Sequence, residues 1–220
     1  MAQSLDLEEQ EQLDQIKHFW NQYGNLITWV LIAVFGSVAA WNGWQYWQNK
    51  QALGASVLFD EVDKAVATKD VARMERTFTD IRDEYGKTAF AQQSALLVAR
   101  GLFENGDAGK ATTALEWAAG QSKDEGLQAI ARLRLAGLAL DSGAAEDAKK
   151  WLMAPMPTEF SGLQADRQGD VHLQAGNKSE AKAAYLKAYQ SLDDNIEYKR
   201  LVEVKLNALG VDPSVPGTQP

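Results

Sequence analysis

Two histidines and scattered carboxylates are the side chains of this 220-residue sequence best suited to chemistry. His18 stands beside a long apolar run and His172 lies in RQGDVHLQAGNKSEAKAAYLKAY, with no second histidine near either. A zinc site needs three or four converging ligands, and no HExxH supplies them. His172 therefore reads as a packing or surface residue. Asp60, Glu61 and Asp63 are close enough to suggest an acid and base pair, but neighbouring acids on a helix ordinarily make a solvated face. Cysteine is absent, which removes disulfides, thiolate metal ligands and cysteine nucleophiles. Neither a phosphate loop of the GxxxxGK type nor GxGxxG occurs, so no nucleotide has a handle. The expectation is a protein that is not an enzyme and holds no cofactor or metal.

What remains is a surface, and the elements that would build it start with an anchor. Residues 26–50 read LITWVLIAVFGSVAAWNGWQYWQNK, with no charge between His18 and Lys50. Residues 26–47 as a helix rise roughly 33 Å at about 1.5 Å each, enough for a hydrocarbon core of about 30 Å. Phe19, Trp20 and Tyr23 flank one end and Trp41, Trp44, Tyr46 and Trp47 the other, where amphipathic rings favour the headgroup layer. The preceding MAQSLDLEEQEQLDQ holds five acids and no base, unlike a cleaved export signal, so the segment is expected to stay. Ala33, Gly36, Ser37 and Ala40 make a small-residue stripe on it, a candidate packing face for another spanning helix. The flanking bases, Lys17 and Lys50, tie and leave the orientation open.

Beyond the anchor, apolar residues recur at helical spacing, and no strand pattern occurs. The periodicity predicts helices over 51–68, 70–85, 88–104, 107–119, 124–141, 144–153, 160–174, 177–191 and 195–209, the first continuous with the anchor. Three turns, ENGDAGKA, DSGAAEDA and QAGNKSEA, each place an alanine five residues after a glycine: Gly106 and Ala111, Gly143 and Ala148, Gly176 and Ala181. The glycines are 37 and 33 residues apart, near the tetratricopeptide period of about 34. Small residues (Ala99, Ala136, Gly169) precede each glycine by seven, and bulky ones (Leu115, Leu152, Tyr185) follow by nine. Ala118, Pro155 and Ala188 follow by twelve, and the proline marks a departure in the middle repeat. The predicted fold is all-α, a single N-terminal transmembrane helix (25–47) followed by a tetratricopeptide-like α-solenoid (48–210). Residues 51–86 read as a degenerate repeat and 195–209 as a terminal helix. Residues 1–24 form a short acidic N-terminus, and 211–220 (VDPSVPGTQP), with three prolines, are expected to be a disordered tail.

In such a solenoid the first helix of each pair builds the inner wall. That wall would present Gln93, Leu96, Arg100, Phe103 and Glu104, then Ile130, Leu133 and Leu140, then Leu163, Asp166, Asp170 and Leu173. The groove is apolar with a few charges and suits a polypeptide; its apolar members are equally fit to be core. Residues 51–220 carry 20 basic and 25 acidic side chains with no basic stripe, so no nucleic-acid partner is expected.

The order of these features resembles the YfgM-like ancillary subunits of the bacterial Sec translocon. The resemblance is carried by the acidic start ending KHFWNQYGN, the anchor, and repeat segments such as EYGKTAFAQQSALLVAR and RQGDVHLQAGNKSEAKAAYLKAY. It implies a single-pass protein of the bacterial inner membrane with a cytoplasmic N-terminus and a periplasmic repeat domain. It implies partners too: the SecYEG translocon, a membrane-anchored periplasmic peptidyl-prolyl isomerase and unfolded exported polypeptides passed to periplasmic chaperones. A scaffold that assembles other inner-membrane proteins without binding clients is the alternative.

Overall fold

The computed structural model describes the backbone of residues 7–213 and the side chains of residues 11–213. Nine α-helices and no strand occur among the described residues: α1 (Leu7–Ala67), α2 (Val71–Tyr85), α3 (Ala89–Glu104), α4 (Ala108–Gln121), α5 (Glu125–Asp141), α6 (Ala145–Met153), α7 (Ser161–Gln174), α8 (Lys178–Ser191) and α9 (Tyr198–Ala208). The all-α expectation holds. Most predicted starts fall on the cap residue one position before the helix, because cap side chains are what the sequence displays there. Asp70, Thr88, Asp107 and Asp124 accept hydrogen bonds from the backbone N–H groups of Arg73, Ala91, Lys110 and Gly126. The start of α9 comes three residues later than predicted.

The chain forms two compact units, one up to Gln51 and one from Ala52. The first is the leading part of α1. Among the described residues α1 is the one helix long and apolar enough to cross a membrane. Leu26, Trp29, Phe35 and Trp41 are exposed on it, as a lipid-facing surface requires. Ala33, Gly36, Ser37 and Ala40 are exposed as well. The Ser37 hydroxyl donates to the Ala33 carbonyl at 2.7 Å, so it is satisfied within its own helix. No break separates this part of α1 from residues 52–67, as the missing turn signal predicted.

The second unit is a stack of helix pairs. From α2 onward each helix packs on its neighbour in sequence, and α3, α5 and α7 also touch one another in succession. The register read from the glycines is the register of the core: Ala99, Ala111, Ala118, Ala136, Ala148, Ala181 and Ala188 are buried, and so are Leu115, Leu152 and Tyr185. Gly169 lies under the Tyr185 ring, and a Cβ there would overlap it. Gly106, Gly143 and Gly176 all have φ near +80°, and the turn residues they serve close each first helix with the same pair of bonds. That geometry recurs at two further places, Lys69 (φ 54°) and Gly210 (φ 77°). The degenerate first pair is therefore a full unit, residues 52–67 of α1 with α2, and α9 ends in the same turn as the first helices of the other units. The middle pair is short: Pro155 stands where its neighbours have alanine, and α6 stops at Met153.

The expected disordered tail, 211–220, includes one residue that the core holds. Val211 is buried against the α8 and α9 core, and its N–H donates to the Leu206 carbonyl at 3.0 Å. It closes the last turn as the third residue past the helix does in the other repeats. Residues 214–220 lie outside the described residues.

Candidate functional site

Helices α3, α5 and α7, together with α9 and Leu115 of α4, line one open cleft of about 680 Å³ in the second unit. Its floor is apolar: Ala99 from α3, Ile130 and Leu133 from α5, and Leu163 from α7, with Phe103 and Phe160 at the sides. Gly137 lines the cleft too, and a Cβ there would meet only open space. Arg100, Arg134 and Arg167 line the same cleft, with Asp141 and Tyr198. The described residues contain no trio of His, Cys, Asp or Glu placed to hold a metal, and His172 sits half-buried on α7.

The three guanidinium groups differ in their surroundings. Arg100 Nε donates to Glu104 Oε1 at 2.7 Å, and that hydrogen bond and charge hold Arg100 above its ordinary range. Arg167 Nη1 donates to Asp170 Oδ2 at 2.9 Å. Burial opposes its charge, but Tyr198 and Asp170 outweigh burial, and it too is raised. Arg134 goes the other way. Its Nη1 donates to the Leu96 carbonyl at 2.9 Å, and burial, then the like charge of Arg100, press it below the usual arginine range.

Of the residues expected on the wall, Arg100, Phe103, Ile130, Leu133 and Leu163 meet in this cleft. Leu140 packs with Leu163 against the core between α5 and α7. Gln93, Glu104 and Leu173 are exposed outside its lining. Leu96 is buried in the core with Ala95 and Ala99 of the same helix, so it does not face the cleft. Asp166 is also a correction. It is 0% exposed, and Lys205 Nζ reaches its two oxygens at 2.8 and 2.9 Å while Tyr198 Oη donates at 2.6 Å. Asp170 accepts from Lys205 at 2.6 Å and from the Tyr185 hydroxyl at 2.8 Å. Burial and the adjoining carboxylates raise both tyrosines well above their ordinary values. These two acids bolt α8 and α9 onto α7 instead of facing a ligand. The sequence reading missed Arg134, Arg167, Phe160 and Tyr198. A signal existed for two of them: Arg134 and Arg167 each stand nine residues before a turn glycine.

Comparison with known proteins agrees with this architecture. The family model of the tetratricopeptide repeat-like domain matches residues 17–211. A protein of Aggregatibacter actinomycetemcomitans named ancillary SecYEG translocon subunit is 30% identical over 92% of this chain and 98% of its own. Proteins of the same name from Haemophilus influenzae and Escherichia coli are 29% and 25% identical, over 94% and 92% of this chain and 100% and 97% of theirs. No solved structure matches the chain. A helix able to span a membrane, a stack of tetratricopeptide-like pairs and this end-to-end similarity have one reading: the chain belongs to the tetratricopeptide repeat-like family whose members are named ancillary SecYEG translocon subunits.

Proposed function

We propose that this chain is an ancillary subunit of the bacterial Sec translocon and works by binding, without catalysis. In this reading α1 holds it in the inner membrane, with residues 1–24 in the cytoplasm and the repeat domain in the periplasm. The repeat domain contacts the SecYEG channel and a membrane-anchored periplasmic peptidyl-prolyl isomerase. It receives unfolded exported polypeptides and helps pass them to periplasmic chaperones. The observation that carries the reading is the apolar, arginine-rimmed cleft borne on the same chain as a membrane-spanning helix. Tethering beside a channel raises the effective concentration of emerging chain, so a shallow cleft of modest affinity suffices. The names of the relatives supply the channel itself.

A photocrosslinking residue placed at Phe103 or Leu163 of the full-length chain in living cells tests this. We expect capture of a channel subunit and of exported chains during active export. Capture of membrane proteins alone would support the scaffold alternative, and no capture at either position would overturn the groove reading.

A further inference from the structure

We propose that the cleft between α3, α5 and α7 recognises an acidic, internal segment of a partner polypeptide carrying a bulky apolar side chain, with Arg134 selecting the carboxylate. The inference rests on the interaction reading above and names the chemistry of what is bound. Leu133 and Leu163 floor the cleft, and Phe103 at its rim is 45% exposed. A bulky apolar side chain seated there would take that ring out of water, which stabilises by about 25 cal/mol for each Å² covered.

Charge decides the rest. The whole chain has a net charge of −8, yet the cleft gathers three arginines around one acid, Asp141. Two are already engaged by Glu104 and Asp170. Among the described residues Arg134 forms no ion pair, and its hydrogen-bond acceptor is a neutral carbonyl. Arg134 is exposed to an arriving ligand and lies near a second cation, Arg100, so it gains twice from a carboxylate: it acquires a counter-charge and a fork-shaped hydrogen-bond partner. The cleft is open and borders three successive helices, so a chain can run across it, and an aspartate or glutamate side chain within the segment is the source of the carboxylate.

Full-length protein in a neutral detergent is titrated with short fluorescent peptides, amidated at their ends, that alternate leucine and phenylalanine with glutamate, glutamine or lysine. The glutamate peptide should bind about tenfold more tightly than the glutamine peptide, a difference of about 1.4 kcal/mol, and the lysine peptide most weakly. Arg134→Gln should bring the glutamate peptide to the glutamine level and leave the glutamine peptide unchanged; Arg134→Lys should restore part of the preference. Equal binding of the glutamate and glutamine peptides by the unaltered protein overturns the proposal without reference to any variant. So does a preference that survives Arg134→Gln. A glutamine peptide with a free carboxyl end that matches the glutamate peptide would assign the site to chain ends. Displacement of the peptide by phosphatidylglycerol vesicles but not by phosphatidylcholine vesicles, lost in Arg134→Gln, would assign it to lipid. Either result overturns the internal acidic segment. If the peptides are not distinguished while crosslinking from Phe103 still captures channel or exported chain, the ligand assignment falls and the function stands; the converse result separates them the other way.

Discussion

Asp166 is a buried charge that the chain tolerates because three hydrogen bonds, two from Lys205 and one from Tyr198, replace its water. Removing one member of such a group leaves the other uncompensated, which generally costs about 3–5 kcal/mol. Lys205 keeps Asp170 as a partner, so Asp166→Ala should cost about 3 kcal/mol, at the low end of that range. Glu104→Gln breaks a pair that water already screens, and its cost should stay under about 1 kcal/mol. Urea unfolding followed by the tryptophan and circular dichroism signals of the full-length protein measures both. Equal losses would mean that the buried network does not hold α9 in place. The repeat register alone puts Asp166 and Asp170 on the inner wall. Their true partner, Lys205, is 39 and 35 residues away, beyond any local pattern.

The repeated turn is the element that sets the solenoid. After Lys69, Gly106, Gly143, Gly176 and Gly210, the next residue donates its N–H to the carbonyl five positions back, capping the first helix and redirecting the chain. Asp70 and Asp107 then cap the following helix, whereas Ala144 occupies the same place with similar backbone angles and no side-chain cap. Ala144→Asp should therefore stabilise the protein by about 1 kcal/mol, seen as a higher melting temperature. No change, or a loss, would show that α6 is held by packing alone. Sequence periodicity placed the three glycine turns and every later helix to within a few residues. It underrated the first pair because Val62, Met74, Phe78 and Ile81 are buried there where other repeats have alanine or leucine. It also left the α9 turn out of the repeat, since Val215 and not alanine stands five residues after Gly210.

For the whole molecule, the reading under test is a chain that crosses the inner membrane once. Lys17 and Lys50 balance each other, so the flanking charge does not orient α1. A phosphatase that is active only outside the cytoplasm, fused after Leu209, should be active, and the same enzyme fused ahead of the anchor should be silent. The reverse pattern would overturn the periplasmic placement of the repeats and the functional reading built on it.

The sequence by itself determined the anchor, the helical class, the turn positions and the core register. All four depend on contacts within one helix or between adjacent ones, and those leave a period or a cap residue behind. Only the tertiary structure decided which wall residues face the cleft. The rotation of each helix about its axis is set by packing against partners distant in sequence, and a small turn sends Leu96 and Asp166 inward while Arg134, Arg167 and Tyr198 converge. Spacing nominates a face, and the packed core selects which of its side chains can meet a ligand.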